Sequence, residues 1–105
     1  MSDSPKAVST EIKSGGYAIV TIAREPVNSM NLELWRDLAS TLAELEANPQ
    51  VHGLFLQSGS KRAVFTAGND INELYAPKTS KERYTDFWVT QTTFLARLYL
   101  SLIHI

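Results

Sequence analysis

The sequence predicts an α/β fold, on three observations. Two β-prone runs flank a glycine pair near the start. A long amphipathic stretch separates the second of these runs from a third. A polar loop and a small-residue turn then lead into a second amphipathic stretch. Alternation of strands and helices defines the class. The chain has 105 residues, 44% hydrophobic and 20% charged, which suits one small globular unit and argues against disorder. A unit of this size buries a smaller share of its surface than a larger domain does, so modest stability is expected.

Residues 1–10, MSDSPKAVST, read as a short disordered lead. They carry neither an apolar signal core nor an arginine-rich amphipathic pattern, so no N-terminal targeting signal is visible. Residues 11–13 and 17–23 flank Ser14-Gly15-Gly16, the pattern of a hairpin. The second run is nearly continuously apolar, as a strand covered on both faces would be. Pro26 ends it, because proline cannot donate to a ladder.

A helix is expected over residues 32–47. Asn31 is its N-cap, and Met30 and Trp35 stand at hydrophobic-staple spacing. Leu34, Leu38, Leu42 and Leu45 form its apolar stripe, and Asn48-Pro49 stops it. Residues 53–57 read as a buried strand. Strand, helix and strand in that order predict a crossover between parallel strands. Residues 58–62 form a polar loop, 63–65 a short strand and 70–75 a short helix broken by Ala76-Pro77-Lys78. Thr79 and Glu82 have capping-box spacing. Beyond them Tyr84, Phe87, Trp88, Gln91, Phe94, Leu95, Leu98 and Tyr99 share one helical face, and Gln91 is its single polar interruption. This face needs a partner that the sequence does not obviously supply. Exposure of Phe87, Trp88, Phe94 and Leu98 would drive association or a molten state.

Composition excludes several functions. A net charge of −1 gives no global basic field for nucleic acid. The lack of cysteine removes disulfides, thiolate nucleophiles and cysteine-ligated metals. No run is long enough to span a bilayer. His52 and His104 stand on separate elements, which argues against a metal site. No cofactor or metal is expected.

Chemistry is best placed at Phe65-Thr66-Ala67-Gly68-Asn69-Asp70. Glycine there permits a positive φ and close approach of a ligand. The helix start beyond it offers unpaired N–H groups and a positive dipole end, suited to an anion or a developing oxyanion. Composition and spacing alone favour the plainer reading, an ordinary strand-to-helix turn with Asp70 as its N-cap.

A resemblance changes that weighting. FTAGNDINELY resembles the signature loop and short helix of the enoyl-CoA hydratase/isomerase (crotonase) family. Arg24-Glu25-Pro26-Val27-Asn28-Ser29-Met30-Asn31 resembles the family's strand exit, and residues 51–59, VHGLFLQSG, its next strand and loop. All three occur in order and at the right spacing. The Asn-Ser-Met segment and the Phe-Trp…Leu-Tyr helix look closer to the Δ3,Δ2-enoyl-CoA isomerases than to the hydratases.

The resemblance implies an incomplete, N-terminal portion of a crotonase-like fold over residues 11–99. Its ligand would be an acyl-CoA thioester, in fatty acid β-oxidation. The backbone N–H of Asn69 matches the first oxyanion-hole donor. The Ala67 carbonyl matches a position that meets the CoA adenine, with Gly68 between them. Val27 and Ser29 fall in the segment that touches the nucleotide and pantetheine arm. Ile71 and Leu74 would line the pantetheine tunnel, or else belong to the core. Lys61 and Arg62 lie where a basic side chain could approach CoA phosphates, although a solvated loop accounts for them as well.

The family's second oxyanion donor, from a Gly-Gly loop, and its catalytic glutamate have no counterpart here. Glu73 and Glu82 do not match the glutamate's position. This chain is therefore expected to be inactive; the alternatives are a remnant that binds CoA thioesters or an interaction module without catalysis. Its parent is expected to be a homotrimer or hexamer, in mitochondria, peroxisomes or the bacterial cytosol, and this chain is expected to lack that interface. Residues 100–105, LSLIHI, read as a tail outside the family pattern. They are what CTG-TCT-CTT-ATA-CAC-ATC encodes, which resembles a sequencing-adaptor end. A genuine short isoform is the alternative, and the downstream genomic sequence decides between them.

Overall fold

The computed structural model describes residues 7–62, 64–75 and 77–100. Strands β1 (Val8–Lys13) and β2 (Tyr17–Ile22) form an antiparallel hairpin, with Val8 opposite Ile22 and Lys13 opposite Tyr17. Gly15 and Gly16 make the reversal at φ 118° and 87°, a region that L side chains rarely adopt. Pairing begins at Val8, inside the segment expected to be a disordered lead. Val8 is buried, and its β2 partners supply an order that polar Ser9 and Thr10 did not announce. Residues 1–6 of the expected lead lie outside the described residues.

Helix α1 (Leu32–Glu46) connects β2 to β3 (Gly53–Ser58), which pairs parallel to β2 in the order β1-β2-β3. The expected crossover between parallel strands is present. Asn31 caps α1 by accepting the Leu34 N–H at 3.0 Å. Met30 and Trp35 are buried on either side of that cap. Leu34, Leu38, Leu42 and Leu45 are all buried, and each contributes about 1.5–3 kcal/mol by leaving water.

Among the described residues the sheet is covered on one face, not two. Ala18, Val20 and Ile22 point into the core with the leucines of α1, while Ile19 and Thr21 are half-buried and Tyr17 is exposed. On this open face Tyr17 and Phe55 meet edge to face at 5.6 Å, and Gln57 donates to Thr21. Among the described residues β3 is an edge strand with Phe55 exposed, not the buried strand that its apolar run suggested. Continuous apolar sequence could not distinguish the two cases.

Helix α2 (Lys81–Leu100) packs on α1. Its cap is Ser80, whose hydroxyl accepts the Arg83 N–H at 3.1 Å, one residue beyond the expected Thr79. The apolar face divides. Phe87 and Phe94 are buried, with Gln91 and Leu98 half-buried on the same side, and Phe94 meets Trp35 at 5.9 Å. Tyr84, Trp88 and Leu95 form an exposed flank. The partner that the sequence did not supply is α1, so Phe87 and Phe94 are not the exposed residues they were expected to be. Ion pairs between Arg97 and Glu46 and between Arg36 and Asp86 edge this contact. Among the described residues, no helix is long and apolar enough to cross a membrane.

Candidate functional site

The segment before the signature loop is not a strand. Val64 and Phe65 are irregular, and Ala63 lies outside the described residues. The loop is instead laced to residues 27–30. The Ala67 N–H donates to the Val27 carbonyl at 2.8 Å. Met30 donates to the Gly68 carbonyl at 2.8 Å and accepts from Asp70 at 3.0 Å, which makes an isolated parallel bridge between Met30 and Asn69. Thr66 donates its hydroxyl to the Asn28 carbonyl and accepts the Gly68 N–H at 3.1 Å.

Asn28 organises the front of this lacing. It is fully buried at φ 55°, a left-handed conformation that asparagine tolerates better than most residues. Its Oδ1 accepts the Arg24 N–H at 2.6 Å. Its Nδ2 donates to Ser58 Oγ at 2.8 Å, to the Phe65 carbonyl at 2.9 Å and, more weakly, to the Ile22 carbonyl at 3.3 Å. One side chain thus joins the end of β2, the end of β3 and the start of the loop.

Two carboxylates organise the back. Asp70 accepts the Asn72 N–H at 2.9 Å, which caps the 3-10 helix Ile71–Glu73, and pairs with Arg24 at 2.9 Å. The amide bond and then the guanidinium hold its carboxyl below the ordinary range. Asp70 is therefore a cap. Glu73 is buried, and it accepts the Leu32 N–H at 2.8 Å and a two-pronged contact from Arg83, 2.7 Å on each prong. Arg83 also reaches Glu33, at 2.9 and 3.1 Å. Neither contact of Glu73 has a local signal in the sequence, since Leu32 and Arg83 are distant from it in the chain.

This arrangement isolates one amide. Of the N–H groups at positions 67–70, those of Ala67, Gly68 and Asp70 have acceptors. Asn69 has none among the described residues. In a parallel bridge the bridging residue turns its own N–H away from its partner, so Asn69 aims away from Met30. Its side chain is held separately, with Oδ1 accepting from Trp35 Nε1 at 3.3 Å. Gly68, at φ 96°, has no atom within 4 Å of where a Cβ would stand, so this side of the loop is open.

A cavity of about 300 Å³ adjoins the loop, walled by Thr66, Gly68 and Asn69 on one side and by Trp35, Gln91 and Phe94 on others. Its lining is apolar apart from Thr66, Asn69 and Gln91, with no carboxylate or imidazole among them. The Gln91 Oε1 is buried without a hydrogen-bond partner among the described residues.

The fold therefore brings Val27, Ser29, Ala67, Gly68 and Asn69 together. Ile71 and Leu74 are exposed, at 70% and 41%, so neither is core. Lys61 and Arg62 are exposed in the polar loop, where the Lys61 N–H donates to Glu25. His52 is exposed at the entry to β3, and His104 lies outside the described residues.

The family model for enoyl-CoA hydratase/isomerase matches residues 12–103, and the chain belongs to that family. The match runs past Tyr99, where the family pattern was expected to stop. Mitochondrial enoyl-CoA delta isomerase 1 of Rattus norvegicus is 31% identical over 86 residues, covering 82% of this chain and 29% of the relative. The fatty acid oxidation complex subunit alpha of a Shewanella strain (W3-18-1) is 36% identical over 70 residues, 65% of this chain and 10% of the relative. The crystal structure of human mitochondrial delta3-delta2-enoyl-CoA isomerase superimposes with a TM-score of 0.80 at 32% identity, covering 90% of this chain and 36% of that one. The chain thus spans about a third of the length of its isomerase relatives, and it carries a partial crotonase fold.

Proposed function

We propose that this chain forms the first half of an acyl-CoA thioester site, in which the Asn69 N–H hydrogen-bonds the thioester carbonyl. The observation that carries this reading is the isolation of that amide. Its neighbours are consumed by the lacing to residues 27–30, and Gly68 leaves the approach open. An amide fixed before the ligand arrives stabilises developing negative charge without reorganising. Val27, Ser29, Ala67 and Gly68 would meet the CoA moiety, with Ile71 and Leu74 presenting exposed apolar surface to the pantetheine arm.

In a complete site the reaction would be the shift of a double bond in an enoyl-CoA through an enolate, as the names of the relatives suggest for them. That step needs a base within reach of an acyl carbon and a second donor at the oxyanion. The cavity lining contains no titratable side chain, and the buried Glu73 is committed to Leu32 and Arg83. We therefore read the 105-residue chain as a binder without turnover. Assembly as a trimer or hexamer belongs to the same reading of the parent.

The test pairs calorimetry with an assay. Saturable binding of a saturated acyl-CoA and no conversion of a 3-enoyl-CoA are expected. Robust turnover would refute the inactivity, and an absence of binding at millimolar ligand would refute the half-site.

A further inference from the structure

Glu73 lies outside the loop, and its contacts do something that capping alone does not require. Residues 30–32 and 68–73 begin as a parallel ladder: Met30 donates to Gly68, and Asp70 donates to Met30. The next rung would have Leu32 donating to the Asp70 carbonyl. That carbonyl is already taken by the Glu73 N–H at 3.0 Å, as the chain turns into the 3-10 helix. The Glu73 carboxylate accepts the Leu32 N–H in its place, at 2.8 Å.

We infer that Glu73 is a positioning residue for the Asn69 amide, and that its pair with Arg83 sets the loop against the α2 wall of the cavity. By standing in for a backbone acceptor, Glu73 lets the chain leave the ladder directly after the Asp70 N–H. Asn69 is thereby the last bridged residue, and the orientation of its N–H is fixed from both sides by the bonds of Gly68 and Asp70 to Met30. Arg83 grips the same carboxylate through two nitrogens and also anchors Glu33 in the first turn of α1. It sits near the start of α2, the helix that carries Gln91, Phe94, Leu95 and Leu98 into the cavity wall. A two-pronged guanidinium contact fixes direction as well as distance. One buried carboxylate therefore ties together the first turn of α1, the loop exit and α2.

What the amide is presented to rests on the acyl-CoA reading; the geometry does not. The experiment keeps them apart. Backbone and indole N–H resonances are recorded by NMR for the wild-type chain, Glu73→Gln, Arg83→Lys and Leu45→Ala, with acyl-CoA dissociation constants measured in parallel. Trp35 serves as a reporter because its indole bonds Asn69. Leu45→Ala is the control for plain destabilisation, a core change near the far end of α1. In Glu73→Gln the Asn69 amide and Trp35 indole resonances should move while those of β1 and β2 stay. The dissociation constant should rise roughly tenfold, as expected for a misplaced binding group. Leu45→Ala should lower the melting temperature and leave both reporters in place. If Glu73→Gln does not fold, Arg83→Lys, which keeps the charge and loses the fork, gives the same readout with smaller shifts. Stationary reporters in the folded variant, or equal movement in Leu45→Ala, overturn the inference. Reporters that move in a chain that binds no acyl-CoA uphold the positioning role and overturn the ligand reading.

Discussion

The two ends of the signature loop are held by different chemistry. At the front, the neutral amide of Asn28 satisfies backbone groups of Arg24, Ile22 and Phe65 and the Ser58 hydroxyl from a buried, left-handed position. At the back, ions do the holding: Asp70 with Arg24, and Glu73 with Arg83. The neutral clamp is deep in the fold and joins both strand ends. The ionic clamp is closer to the surface, with the Arg83 side chain 35% exposed. The front should therefore be tied to folding as a whole, and the back to the local placement of the loop.

Substitutions at either end should separate the two clamps. The largest effect is expected at the front. Asn28→Ala would leave several buried groups unpaired and put alanine at positive φ, costing about 4 kcal/mol, enough to unfold a small domain. Asn28→Gly relieves the backbone term alone and should recover about 1 kcal/mol of that loss in denaturant melts. At the back, Arg83→Met would leave the Glu73 carboxylate buried and unpaired. A cost of about 2 kcal/mol is expected, reduced from that of a fully buried pair because solvent reaches Arg83. A larger loss for Arg83→Met than for Asn28→Ala would invert the comparison.

Smaller effects are expected elsewhere. Gln91→Leu removes a buried acceptor without a partner and should raise stability by about 1 kcal/mol. If it destabilises instead, Gln91 has a partner in solution. Acid should loosen the back before the front. The carboxyls of Asp70 and Glu33 are both lowered in the folded state, the first mainly by the Asn72 amide and the second mainly by Arg83. Their contribution is present above the unfolded value, 3.8 for Asp70 and 4.5 for Glu33, and is lost as pH falls through the lower folded values. A pH titration of stability should therefore fall off below about pH 4.5. Asp70→Asn should make that fall shallower, whereas the neutral contacts of Asn28 have no such dependence.

Much of the fold was legible because its signals are local. Gly15-Gly16 marked the hairpin, Asn31 the cap of α1, and the leucine spacing its buried face. The errors have local causes too. An apolar run cannot say whether one face of β2 or both are covered. The helical stripe of α2 could not reveal that α1 would receive Phe87 and Phe94 but not Trp88. At the site, the positive φ of Gly68 and the capping role of Asp70 were readable from the motif. The roles of Asn28 and Glu73 were not, because their partners Phe65, Leu32 and Arg83 are ten or more residues away.

We propose that one amide of the loop, that of Asn69, is held ready for a thioester carbonyl. Titration of the isotopically labelled chain with a saturated acyl-CoA, followed through that amide by NMR, tests it most directly. A saturable downfield shift of the Asn69 N–H, larger than those of the already bonded Ala67 and Asp70 amides, is the predicted result. An Asn69 resonance that stays in place while acyl-CoA binds would contradict it.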